Sequence, residues 1–280
     1  MKGKAATGCC VADIVQLMER LAPPYLAEEW DNCGLQVGSV QWPVKKIWVA
    51  LDPLPDVVRA AAAQKVDLVI THHPLLFRPL RSIDVQTPQG GIIETALAAR
   101  MAIYSAHTNL DSAREGVNTI LARTIGLKKL APLVPNMVAL QPSDSGRRLG
   151  MGRVGALDAP LALDALITRI KTRLNLSAVK VAGDLCMEVR RAAVCSGSGS
   201  SLLDAFLDTD AQVYISGDLH YHAARTVEDA GRALIDVGHF ASEYLVIDAL
   251  VAQVHDAIQD HGWRVSVEPC RLERDPFMLR

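Results

Sequence analysis

Apolar positions along the chain fall into two rhythms that alternate with each other. Val11 to Leu21 has the three-to-four-residue spacing of an amphipathic helix and stops at Pro23-Pro24. Ile47 to Leu51 is a short continuous apolar run, as expected for a buried strand. Pro55 to Lys65 reads as a helix with proline in its first turn, and Asp67 to Thr71 as a second buried strand ending at His72-His73-Pro74. Gly91 to Arg100 is helical, Met101 to Ala106 is a third strand running into His107, and Gly116 to Ile125 is a helix closed by Gly126. This alternation predicts an α/β fold with mostly parallel or mixed sheets covered by helices.

The pattern lapses between Lys128 and Arg148, where Pro132, Pro135, Pro142, Ser143, Asp144, Ser145 and Gly146 suggest a linker. A second α/β run follows. It has helices over 161–174, 202–207, 222–230 and 240–258, and strands over 191–195, 211–216, 233–237 and 263–267. Two lobes are therefore expected: 1–130 together with 236–280, and 131–235. The candidate site lies between the N- and C-terminal segments of the chain.

Composition narrows the class. Half of the 280 residues are hydrophobic, 21% are charged and the formal net charge is -2. That supports a large core and gives no reason to expect nonspecific binding to nucleic acid or an anionic membrane. No apolar run approaches bilayer length, and the N-terminus lacks a signal-peptide core. The six cysteines show no C-x-x-C pair, so reduced, mostly buried thiols in a cytoplasmic protein are expected.

Ligand-type residues sit at three strand ends. His72-His73 follows Leu68-Val69-Ile70. His107 ends Ile103-Tyr104-Ser105, with Asp111 four residues on. His239 follows Leu234-Ile235-Asp236-Val237, with Glu243 four residues on. In open α/β sheets, sites gather beyond the carboxyl ends of the strands. Each piece also has a bland reading: a structural His pair, a solvated helix pair, a helix cap at Asp111. Together they fit imidazole–carboxylate coordination of zinc, iron, manganese or nickel, and suit calcium poorly. Five side chains leave positions open for water. A bridging carboxylate, with Glu243 as candidate, would hold two ions about 3.5–4 Å apart. The loop Ser196 to Ser201 reads either as a tight turn or as an anion cradle without the lysine of a P-loop.

Five segments carry a family resemblance. They are Trp30-Asp31-Asn32-Cys33-Gly34-Leu35-Gln36-Val37-Gly38, Thr71-His72-His73-Pro74-Leu75, Ser105-Ala106-His107-Thr108-Asn109-Leu110-Asp111, Ser216-Gly217-Asp218-Leu219-His220-Tyr221-His222 and Gly238-His239-Phe240-Ala241-Ser242-Glu243. In this order they resemble the NIF-three-like family, whose members are often called GTP cyclohydrolase 1 type 2 homologs. The resemblance implies a dinuclear centre with His72, His73, Asp111, His239 and Glu243 as ligands, and a ring-shaped homohexamer. His107 matches no family ligand and stands as either a supporting histidine or a proton carrier. His222 is the second candidate for proton transfer, and His220 a candidate hydrogen-bonding group. The reading that follows is a metal-dependent hydrolase of a small nucleotide-like or heterocyclic substrate. The alternative is a non-enzymatic metal-binding regulatory or interaction protein.

Overall fold

The computed structural model describes residues 8–136 and 149–278. Pro142 to Gly146 of the expected linker lie outside the described residues. By internal contacts the chain forms two units: residues 1–110 with 247–274, and 111–246 with 275–280.

The first unit runs α1 (Val11–Leu21), β1 (Gly34–Val37), β2 (Lys46–Ala50), α2 (Pro55–Ala63), β3 (Leu68–Thr71), α3 (Pro88–Ala98) and β4 (Ala102–Ser105). The partition falls within α4 (Thr108–Ser112). The second unit continues with α5 (Val117–Ile125), β5 (Lys128–Ala131), β6 (Val134–Pro135), β7 (Gly150–Met151), β8 (Arg153–Ala162), α6 (Leu163–Leu174), β9 (Lys180–Ala182), β10 (Glu188–Ser198) and α7 (Leu203–Leu207). Then come β11 (Val213–Gly217), α8 (Tyr221–Asp229), β12 (Ala233–Asp236) and α9 (His239–Glu243). The chain returns to the first unit through α10 (Val246–His261) and β13 (Ser266–Pro269).

The first unit has a five-stranded sheet in the order β1-β4-β3-β2-β13. Its strands pair in parallel except β1, which is antiparallel to β4. Trp48, Ala50, Val69 and Ile103 join Val57, Val58 and Ala61 of α2 and Ile92, Ile93 and Ala96 of α3 in one core. The alternate strand residues Ile47, Val49, Leu68 and Ile70 are buried too. A sheet buried on both faces explains why these strands read as unbroken apolar runs.

The second unit has a six-stranded mixed sheet in the order β5-β8-β10-β11-β12-β9. Its strands feed two cores by strict alternation. Ala192, Val194, Val213, Ile215, Ala233 and Ile235 pack with Leu121 and Ile125 of α5 and Leu166 and Ile170 of α6. Ala193, Cys195, Tyr214 and Leu234 pack with Phe206 and Val227. The period of two along a strand makes this division.

Both units are thus α/β with mixed sheets, as the apolar rhythm predicts, but the partition differs from the expected one. Residues 111–130 and 236–246 belong to the second unit. The reason is packing: α5 buries Leu121, Ala122 and Ile125 in that core, β5 pairs with β8, and β12 pairs with β11. The helix expected over 240–258 is two helices, interrupted at Tyr244-Leu245. Ser242 Oγ donates to the His239 carbonyl at 2.7 Å, a local back-bond of the kind that loosens a helix. All six cysteines are free, and no helix among the described residues is long and apolar enough to cross a membrane.

Arg153 anchors the second unit. It is almost fully buried, and its guanidinium donates to the carbonyls of Gly150 (2.6 Å), Gly152 (2.7 Å) and Ala113 (2.6 Å) and to Thr119 Oγ1 (2.8 Å). Burial lowers its pKa to about 10, opposed by the nearby charges of Asp111 and Glu115. Arg153→Leu leaves three carbonyls without this donor, at about 1–3 kcal/mol each. The expected result is a loss of roughly 3 kcal/mol or more in chemical denaturation. An unchanged midpoint would show that water can replace the guanidinium.

Candidate metal centre

In the first unit, β2, β3 and β4 run parallel with Ala50 opposite Thr71 and Thr71 opposite Ser105. Their carboxyl ends therefore stop at one edge of the sheet. The next residues, Leu51-Asp52, His72-His73 and Ala106-His107, emerge there. His72 is buried, and its Nδ1 lies 2.9 Å from the Ala106 carbonyl. His73 Nδ1 lies 2.8 Å from Asp52 Oδ1, and His107 Nδ1 lies 2.9 Å from Asp31 Oδ1. A carbonyl or carboxylate oxygen only accepts, so each Nδ1 carries the proton. In the neutral ring the lone pair is then on Nε2, the arrangement usual for metal-ligating histidines. The three side chains bring potential ligand atoms within 4.8 Å of one another, a grouping that could hold a metal ion.

The orienting groups are themselves held. Burial works against the Asp31 charge, but bonds from His107, Thr108 and Cys33 outweigh it and keep the carboxyl well below the usual range. Thr108 donates to Asp31 Oδ2 from N (3.0 Å) and Oγ1 (2.5 Å), and Cys33 Sγ donates at 3.0 Å. Asp52 sits on a turn clamped by Glu273, which accepts from Leu51 N at 2.9 Å and Asp52 N at 2.6 Å. Burial pushes the Glu273 carboxyl up, partly offset by these backbone donors.

The second unit repeats the device. Its parallel strands β10, β11 and β12 end at Gly197-Ser198, Gly217-Asp218 and Val237-Gly238-His239. His239 Nδ1 lies 2.7 Å from Asp218 Oδ2, and its Nε2 lies 3.1 Å from Glu243 Oε2. The i,i+4 spacing on α9 makes that second contact. Gly238 N donates to Asp236 Oδ1 at 3.0 Å, fixing the turn that launches His239. Glu243 and Asp111 are both buried carboxylates. Ser196 Oγ donates to Asp111 Oδ1 at 3.2 Å, and Asn118 bridges the Asp111 carbonyl (3.2 Å) and Ser196 N (2.8 Å).

Gly197 completes this half. Its φ is +62°, and a Cβ there would lie 2.2 Å from Glu243 Oε1 and 3.3 Å from His239 Nε2. Only glycine keeps the space beside these donors open. The loop from Ser196 is a structural turn: Ser196 N donates to Asn118 and Gly197 N donates to Ser242 Oγ at 2.8 Å. Those amides are engaged within the fold, which disfavours the anion cradle.

Each residue singled out in the sequence thus has a place. His72, His73 and His107 cluster in the first unit; Asp111, His239 and Glu243 line one strand edge of the second. His220 and His222 are exposed at the start of α8, and His222 stacks edge-on with Tyr221 at 5.4 Å. Neither belongs to a potential metal grouping among the described residues. Sequence reasoning did not find Asp52; it read Asp31-Asn32 with Gly34 as a rigid turn and placed Asp218 in a matching motif without a role. The available signal was position: Asp52 and Asp218 follow buried parallel strands, as the histidines do.

Comparison with known proteins shows the family and the fold. The family described as Duf34/NIF3 (NGG1p interacting factor 3) matches residues 9–276. A Streptomyces coelicolor protein named GTP cyclohydrolase 1 type 2 homolog is 33% identical over 95% of this chain and 93% of its own. A Nostoc protein of the same name is 35% identical over 87% and 90%. Among solved structures, a Bacillus cereus protein related to NIF3 superposes with a TM-score of 0.90 at 25% identity, covering 98% of this chain and 100% of its own.

The orienting carboxylates generate a prediction. Asp52→Ala removes the acceptor that fixes the His73 tautomer. Metal affinity should drop about 10–100-fold by titration with zinc, the usual worth of such a partner, with the fold retained. Undiminished affinity would mean that His73 needs no orienting group.

Proposed function

The chain belongs to the Duf34/NIF3 family, and from that premise we propose that it is a cytoplasmic dinuclear metal protein. It acts as a metal-dependent hydrolase on a small nucleotide-like or heterocyclic substrate. The proposed ligands are His72, His73, Asp111, His239 and Glu243. Family membership supports combining them, and the geometry supports each half separately. The observation that carries the reading is the shared state of the histidines. Nδ1 of His72, His73, His107 and His239 is in every case committed to a carbonyl or carboxylate oxygen. Exposed His261 also has its Nδ1 at a carbonyl, 2.7 Å from Ala257, so the tautomer counts here together with the place of these four histidines at the carboxyl ends of parallel strands.

The donor set fits the metal. Imidazole and carboxylate suit zinc, iron, manganese or nickel, and the glycine at 197 keeps room beside Glu243 and His239. Bound there, divalent ions supply Lewis acidity and lower the pKa of water. The protein's own part is to hold the rings, exclude bulk water around buried His72, Asp111 and Glu243, and move a proton. His107 is the proposed proton carrier at Nε2, with Asp31 holding Nδ1–H. Exposed His222 is the second proposed carrier. The relatives' name suggests hydrolytic opening of a purine imidazole ring as the first activity to assay.

Two variants separate ligation from proton transfer. Glu243→Gln removes a negative charge from the donor set, so it should lose metal and activity together. His107→Asn should keep close to two ions per chain by elemental analysis. With GTP or another purine nucleotide its turnover should fall about 10²–10⁴-fold, the usual worth of general acid–base help. Metal loss in His107→Asn equal to that in Glu243→Gln would make His107 a ligand. Metal-replete protein inert toward a broad hydrolase panel would favour the non-enzymatic regulatory reading. Wild-type protein that takes up no metal would remove the proposal altogether. The family resemblance also supports a homohexamer. Light scattering should then give six times 30.3 kDa, and a stable monomer at micromolar concentration would refute it.

A further inference from the structure

We propose that Trp30 and Phe77 form a stacking platform for the planar ring of a nucleobase-type heteroaromatic substrate, set beside the imidazole cluster of the first unit. This deepens the hydrolase reading by naming what recognises the substrate's ring.

The first observation is exposure. Trp30 is 58% exposed and Phe77 47%. The other three tryptophans, Trp42, Trp48 and Trp263, are buried or half-buried. A large aromatic ring left in water loses most of the free energy that its burial would supply. The fold has covered its other indoles and left this one open.

The second observation is location. The Trp30 and Phe77 ring centroids are 5.6 Å apart, and both rings stand near-perpendicular to His107, at 6.1 and 6.4 Å. His107 in turn lies 5.2 Å from His72 and 5.6 Å from His73. The exposed rings are therefore continuous with the three-histidine cluster.

The third observation is rigidity. Asp31, next to Trp30, is tied to His107, Thr108 and Cys33. Asn32 donates through Nδ2 to the Leu76 carbonyl at 2.6 Å. Gln36 Oε1 accepts from Leu76 N at 3.1 Å, and Gln36 Nε2 donates to the Asn32 carbonyl at 2.8 Å. These two amides lock the segment carrying Phe77 to the segment carrying Trp30. Asn32 and Gln36 are positioning residues on this account. Two exposed rings on a frame fixed in advance make a binding surface that loses little conformational entropy on use.

The geometry also restricts the pose. Rings in contact at 5.6 Å and tilted by 58° leave no slot for a ligand ring to enter between them. The ligand ring lies on the open face of the indole, with Phe77 as a side wall and its edge toward His107. Stacking of this kind tolerates any base, because every base has a π-face. The platform therefore selects for a planar heteroaromatic ring as a class.

The test measures binding by calorimetry with the full-length protein as purified, using GMP as probe and ribose 5-phosphate as the control lacking a base. Metal content is recorded for every variant. GMP should bind saturably and ribose 5-phosphate at least tenfold more weakly. Trp30→Leu, which keeps apolar bulk without a π-face, should weaken GMP about 10–100-fold. Trp30→Phe should restore most of the affinity, and Phe77→Leu should cost less than Trp30→Leu. Metal content should stay at the wild-type level in all three. The platform is overturned by equal affinity for GMP and ribose 5-phosphate, by absence of GMP binding, or by wild-type affinity in Trp30→Leu. It is likewise overturned if Trp30→Leu breaks a homo-oligomer while GMP affinity is untouched, which would assign the rings to contact with a second copy. Metal-free protein that still binds GMP through Trp30 would sink the metal reading and leave the platform standing.

Discussion

Parallel strand pairing is the constraint from which the candidate site follows. When neighbouring strands run the same way, their carboxyl ends stop at one edge, and the residues after each strand are brought together whatever their separation along the chain. In the first unit this edge collects Asp52, His72-His73 and His107 from β2, β3 and β4. In the second it collects Gly197, Asp218 and His239 from β10, β11 and β12. Burial of both sheet faces fixes the register, because a slip by one residue would exchange the two core faces. The alternation of Ala192 and Val194 with Ala193 and Cys195 between two separate cores shows how strongly that register is specified. Core packing thus positions polar chemistry with which it shares no atoms.

The same constraint explains what could be read from the sequence. The histidines were legible because they interrupt or follow unbroken apolar runs, and the runs themselves identify buried parallel strands. Helix α1 was legible to its ends, since apolar spacing and Pro23-Pro24 both mark it. The partners were less legible. Asp31 reaches His107 across 76 positions, and Asp52 and Asp218 each reach a histidine 21 positions away. No local pattern encodes such pairs. Strands β1 and β8 escaped for another reason. The first is four residues long on a sheet edge, and the second carries the charged residues Arg153 and Asp158 and Pro160, which mask its period. The break at Tyr244-Leu245 escaped because apolar spacing continues across it while a serine side chain disturbs the backbone.

Asp31 shows how the fold and the candidate chemistry share one group. Its carboxylate accepts from an imidazole, a hydroxyl, a backbone amide and a thiol. Those bonds join the loop before β1 to the start of α4. The same bonds set the tautomer of His107 and hold Trp30 in place beside it. A residue with that many partners is costly to move, so the rings around it have one arrangement. Such preorganisation is what both ligation and ring recognition require.

Buried charge bears on the candidate metal centre as well. Asp111, Glu243 and Asp236 are all buried carboxylates of the second unit. Asp236 has Lys180 at 3.3 Å and the Gly238 amide at 3.0 Å. Asp111 has a serine hydroxyl, and Glu243 has the Nε2 edge of His239. Desolvating a carboxylate costs several kcal/mol, so a buried acid depends on the groups gathered around it. Arg153 contributes positive charge to the region of Asp111, yet its own donors are spent on backbone carbonyls and Thr119. Proteins keep buried charges where these are paired or coordinate a metal. Asp111 and Glu243 also belong to residue groups that could hold a metal ion, and the tautomers set by Asp52 and Asp218 place an imidazole lone pair at Nε2 of His73 and His239. The buried acids and the orientation of the histidines are thus each compatible with a metal ion, the first through charge and the second through the position of the ring lone pair.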